Sequence, residues 1–276
     1  MDQNADEGAT VAKNTRTPGD LFDCSQWTSN NVNLPELKSQ MEQLVARAEA
    51  TAHALKGFDD LKRELLTNAN NLDHLSRSMG NSQSMQKALS AAQALSKQTL
   101  EAQANLLVRD FVNIITPLKL FTEAVHSGDE RAFENCARNL ENFTKTACDT
   151  ANVICGNNPQ SNQLLTLTPQ LTNGGRIRMT YGDPAEEHFK NLETQYQESL
   201  QNLRALCDEH VPANLFVQVT KRAMEREQGN CNRAFAQKDT LGLVNGTSAL
   251  ARQANRVLMI TNAERDNSED PLFTYV

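Results

Sequence analysis

The residues with most to offer chemically are five histidines (His53, His74, His126, His188, His210) and six cysteines (Cys24, Cys136, Cys148, Cys155, Cys207, Cys231). A helical zinc site sets two histidines one turn apart, at i and i+4, so that both imidazoles reach one ion. No two of these histidines have that spacing. Glu186-Glu187-His188 brings carboxylates beside an imidazole, but helical sites for paired metals need Glu-x-x-His, and need it twice. Carboxylate-rich calcium loops, glycine-rich phosphate loops and nucleophile elbows do not occur. The sequence therefore offers no catalytic residue, no cofactor site and no metal ligands, and is read as non-enzymatic. The cysteines form no C-x-x-C pair. Most fall on apolar helical positions, where a free thiol acts as a small hydrophobe, and this predicts a reducing compartment. Asn142-Phe143-Thr144 and Asn245-Gly246-Thr247 match the glycosylation pattern, and are read as chance matches inside helices.

Composition sets the frame for what could position any site. The apolar fraction of 39% is enough for real cores, whereas aromatics make up only 5%, which argues against sandwiches and barrels. Ala, Leu, Gln, Asn and Glu dominate, mostly good or neutral helix formers. A net charge of −7 gives no pull toward nucleic acid or anionic lipid. No apolar signal segment follows Met1 and no run approaches the roughly 18 apolar residues of a membrane span. A cytoplasmic protein is expected.

Along the chain, residues 1–32 are rich in Asp, Asn, Gly, Thr and Ser and read as a disordered or loosely attached leader, in which Leu21, Phe22 and Trp27 alone could dock. From Asn33, Leu37, Met41, Leu44, Val45, Ala48, Ala52 and Leu55 recur at three- and four-residue steps, predicting a helix broken at Gly57. A second helix runs to Gly80 and a third to about Ile114. Pro117 is expected to interrupt the pattern, which resumes to Gly128. Asp129 caps the clearest helix, with Phe133, Leu140, Phe143, Ala147, Ala151 and Ile154 on one stripe. The stretch 160–182 predicts a helix of weaker pattern, broken by Pro169 and Gly174-Gly175. Three more helices open near Pro184, Pro212 and Asp239. Eight to ten helices with short connections predict an all-α chain of successive antiparallel bundles. The expected division is a leader at 1–32, a partial first bundle at 33–115 and a second bundle region at 116–276.

Ala251-Arg252-Gln253-Ala254-Asn255-Arg256-Val257-Leu258, followed by Asn267-Ser268-Glu269-Asp270-Pro271, resembles the head region of the vinculin family. Upstream, Leu167-Thr168-Pro169-Gln170-Leu171, Gly175-Arg176-Ile177, Gly182-Asp183-Pro184 and Glu187-His188-Phe189 are similar to the same region in the same order. Thr116-Pro117-Leu118-Lys119-Leu120 resembles a joint between two bundles of that family. Leu44-Val45-Ala46 and Arg63-Glu64-Leu65-Leu66 are weaker matches. Alpha-catenin's middle region is a relative, and residues 128–155 fit either.

The resemblance implies four-helix bundles and a cytoskeletal scaffold linking cell-adhesion complexes to actin, at focal adhesions or adherens junctions. A generic helical adaptor or an alpha-catenin-like junction protein binding partner helices is the alternative. The family's talin-binding bundle, proline-rich linker and basic tail have no match here, so direct talin or actin binding by this chain alone is not expected. The last bundle is expected to fall one helix short of four. Its stripes would then leave an apolar groove lined by Phe216, Val219, Val244 and Leu258, filled by self-association or by another protein's helix.

Overall fold

The computed structural model describes residues 21–27 and 32–267, and every regular element among them is helical. Helices α1 (Leu34–Ala54), α2 (Asp59–Arg77) and α3 (Ser82–Phe111) form the first unit. Asn33 caps α1 by accepting from the Glu36 amide, with Pro35 in the first turn, where its missing N–H removes no helical bond. Gly57, at φ +81°, makes the sharp reversal into α2. Asn81 and Ser84 close a reciprocal capping box at the start of α3. The inward stripes meet in one core: Leu37, Met41, Leu44 and Ala48 from α1, Leu65, Ala69 and Leu72 from α2, Ala88, Ala92 and Leu95 from α3.

Part of the expected leader belongs to this unit. Phe22 and Trp27 are buried in the same core, and the Cys24 thiol donates to the Leu89 carbonyl at 3.7 Å. Residues 21–27 are therefore docked rather than loose, because two large apolar side chains bury enough surface to hold a short segment. The rest of the leader, apart from Val32, lies outside the described residues.

The second unit is a four-helix bundle of α4 (Ile115–Ser127), α5 (Glu130–Cys155), α6 (Pro159–Tyr181) and α7 (Glu186–Glu209). Asp129 caps α5 by accepting from the Arg131 and Ala132 amides at 2.9 and 3.0 Å. Phe121, Phe133, Leu140, Ile154, Leu164, Leu171, Phe189, Tyr196 and Leu203 fill its core. Deep inside, the Tyr196 and Thr144 hydroxyls share a hydrogen bond of 2.7 Å.

The stretch 160–182 is one continuous helix, α6, despite Pro169 and the paired glycines. Pro169 sits on the exposed face, where water can serve the carbonyl it leaves unbonded. The glycines are contact points: a Cβ on Gly175 would lie 2.9 Å from both Phe121 and Val125. They let α6 approach α4 and α7 closely.

Near the joint expected at Thr116-Pro117 the helix is interrupted between α3 and α4. Pro117 falls in the first turn of α4, and the chain bends at residues 112–114. Phe111, Ile114 and Leu118 nevertheless belong to one core. The two cores divide inside α3, whose Ala88, Ala92, Leu95 and Ala102 face the first and whose Ala104, Leu107, Val108 and Phe111 face the second. A thirty-residue helix is long enough to serve both.

Helices α8 (Ala213–Ala236) and α9 (Thr240–Asn267) form a closely packed hairpin laid against the second half of α3. Lys238, at φ +56°, makes the turn between them.

Candidate functional site

Among the described residues no cluster of three His, Cys, Asp or Glu side chains could hold a metal. Glu186 is instead held by Arg178 and by His126, whose Nε2 lies 3.2 Å away, and this pairing depresses its carboxyl pKa. The fold also assembles a polar seam between the units and an open apolar face on the hairpin.

The seam forms where the C-terminal end of α5 meets the first unit. The last four carbonyls of a helix have no partner within it. Two of them are satisfied from the other unit: the Ile154 carbonyl accepts from the Arg47 guanidinium, and the Val153 carbonyl from Gln103 at 3.2 Å. Gln103 also donates to Thr51, and Arg109 donates to the Lys56 carbonyl at 2.9 Å while pairing with Asp110. Asp110 in turn accepts from Thr150 of α5 at 2.6 Å. Burial lowers the Arg47 pKa, although a Cys155 thiolate beside it would act the other way. Periodicity marked none of these residues, since a polar side chain on a helix reads as solvated until a second unit covers it.

On the hairpin, Val217, Met224, Leu250, Ala254 and Val257 line a trough of about 770 Å³. Lys221 and Glu225 also line it, one turn apart on α8. Phe235 (74% exposed) and Leu241 (71%) extend the apolar surface to the hairpin tip. The four residues expected to share a groove do not. Phe216 and Val219 are 2% and 1% exposed and packed in the core. Val244 and Leu258, at 54% and 61%, stand on the exposed side of α9. The stripe patterned most strongly on α8 was claimed by α3, and the weaker row beside it was left open. Arg256 ties the base of the hairpin to α7 through Asp208 and lies 5.6 Å over the Phe216 ring.

Serial helical bundles sharing a long helix, with an apolar trough left open on the last hairpin, define an all-α helical-bundle protein. The sequence matches the vinculin family over residues 9–276, and the chain belongs to that family. It is 36% identical to vinculin of Drosophila melanogaster over 213 residues, which is 68% of this chain and 22% of that protein. Identity to vinculin of Caenorhabditis elegans is 35% over 184 residues, 60% of this chain and 17% of that protein. The chain thus spans only about a fifth of the length of these relatives. Among solved structures, the HMP-1 M domain superposes with a TM-score of 0.69 at 16% identity, covering 90% of this chain and 76% of that one. A sponge vinculin homologue superposes with a TM-score of 0.70 at 22% identity, covering 84% of this chain and 33% of that one. Both show the same helical-bundle fold.

Proposed function

We propose that this chain is a non-enzymatic cytoskeletal scaffold segment that helps link cell-adhesion complexes to actin through helix-to-helix contacts, in the cytoplasm at focal adhesions or adherens junctions. The observation that carries the reading is the apolar trough on α8 and α9 in a chain of the vinculin family. Leaving Val217, Met224, Leu250 and Val257 partly wet forfeits up to about 1.5–3 kcal/mol for each large side chain that a partner would cover. The occupant is a second copy of the chain. Two hairpins supply the four helices of a bundle, and a two-fold antiparallel arrangement sets Lys221 of each copy opposite Glu225 of the other.

Light scattering at micromolar concentration should then show a dimer, and Met224→Glu should return a monomer with an unchanged helical spectrum. A wild-type chain that stays monomeric, or a dimer indifferent to Met224→Glu, refutes the occupant. Proximity labelling in cells tests the wider role, with adhesion and cytoskeletal proteins as the expected enriched neighbours. A background of unrelated cytosolic proteins would overturn it. The alternative reading, a generic helical adaptor or alpha-catenin-like junction protein, predicts a different set of neighbours in that experiment.

A further inference from the structure

Cys155 is the last residue of α5 and Cys207 lies in the last turn of α7, and their sulfurs are 3.8 Å apart. Both thiols are free. The two helices run the same way in the bundle, so both C-terminal ends lie at one end of it. Cys207 is fully buried, whereas Cys155 is partly open to solvent. Arg47 reaches across from α1 to the carbonyl of Ile154, next to the thiol of Cys155. The charges of Glu209 and Asp208 act against Arg47, raising the Cys155 pKa.

We infer that Cys155 and Cys207 are a redox-active dithiol, with Cys155 the residue that peroxide oxidises and Cys207 the one that resolves it into a disulfide. The geometry divides the roles, since only Cys155 is open to a small oxidant and only Cys207 is in contact with its sulfur. The hydrogen bond shared with Cys207 and the positive charge of Arg47 hold the Cys155 pKa down against burial, while that same hydrogen bond, and then burial, push the Cys207 pKa up. A thiolate is the reactive form.

In the first step the Cys155 sulfur attacks one oxygen of hydrogen peroxide. An S–O bond forms, the O–O bond breaks, and the departing hydroxide leaves as water with the proton of the thiol. Cys155 is oxidised to the sulfenic acid by two electrons and the peroxide is reduced. In the second step the Cys207 sulfur attacks the sulfenic sulfur. The S–S bond forms as the S–O bond breaks, and hydroxide leaves as water with the Cys207 proton. Two thiols and one peroxide give one disulfide and two waters. The product joins α5 to α7 beside the polar seam, across an interval of 52 residues.

The test treats the folded chain with limiting hydrogen peroxide, alkylates the remaining thiols, and maps peptides without reduction. The expected product is a Cys155–Cys207 linked peptide pair that dithiothreitol separates, with two of the six thiols lost to alkylation. In Cys207→Ser, Cys155 should stop at a sulfenic acid trapped by dimedone. In Cys155→Ser, Cys207 should survive as a thiol. The wild-type map stands without either variant. Alkylation of both residues after Cys24 or Cys136 has oxidised would overturn the inference, as would sulfinic acid at Cys155 in the wild type.

Discussion

Replacing Gly175 with alanine adds one methyl group at the most crowded point of the second bundle. The new Cβ would lie 2.9 Å from the Phe121 ring, 2.9 Å from a Val125 methyl and 3.1 Å from the Phe133 ring. Those three side chains are essentially fully buried, so none can rotate away without displacing another neighbour. Overpacking of this kind costs about 1–3 kcal/mol, and three rigid contacts place it near the top of that range. Alanine offsets about 1 kcal/mol through its higher helix propensity. A net loss of roughly 1–2 kcal/mol remains, which for a chain of this size lowers Tm by roughly 2–6 °C. Gly229→Ala is the matched control. Gly229 lies on the exposed side of α8 and a Cβ there meets nothing within 4 Å. That variant gains propensity alone and should be stabilised by roughly 0.5–1 kcal/mol. Thermal and urea unfolding followed by circular dichroism read both. If Gly175→Ala is as stable as the wild type, or rises with Gly229→Ala, the close-approach account of the paired glycines fails.

Burial pushes the Tyr196 phenol up to about 12, against about 10 in the unfolded chain. A group whose folded pKa is raised contributes stability that is intact below pH 10 and is lost as pH rises toward 12. Tyr196→Phe should flatten that loss in alkaline unfolding curves, and an unchanged curve would remove Tyr196 as its source. Arg47→Met leaves the Ile154 carbonyl without its donor and should cost about 1–3 kcal/mol; hydrogen exchange should then quicken at the C-terminal end of α5 while the Phe133 end stays protected. Because α3 serves both cores, amides from Ala92 to Phe111 should exchange as one protected block, with faster exchange at residues 112–114. A break in protection near Ala102 would show that the cores open separately. At physiological salt the chain, with its net charge of −7, is not expected to co-sediment with actin filaments; saturable, salt-sensitive co-sedimentation would reveal a binding surface on it.

The helical periods of this chain were legible because the core-facing positions of α1, α2 and α5 repeat every three or four residues, and because Asn33, Asp129 and Gly57 have the chemistry of caps and turns. Fold class and most element boundaries follow from that local code. So does the absence of a histidine pair or a glycine-rich loop, and the ordered resemblance to one family. What the code cannot carry is which neighbour claims a face. Gly174-Gly175 has the composition of a break, and only the rings of Phe121 and Phe133 pressed against α6 make it a point of contact. Phe216 and Val219 looked suited to an open groove, until α3 covered them and left the row of Val217 and Met224 uncovered. Arg47, Gln103 and Cys155 carry no periodic signal at all. Their roles come from the carbonyls of Val153 and Ile154 and the sulfur of Cys207, brought to them across 50 residues or more by helix packing. Periodicity describes one helix against an unspecified interior; the second surface, and therefore every site built between two units, exists only once the helices have packed.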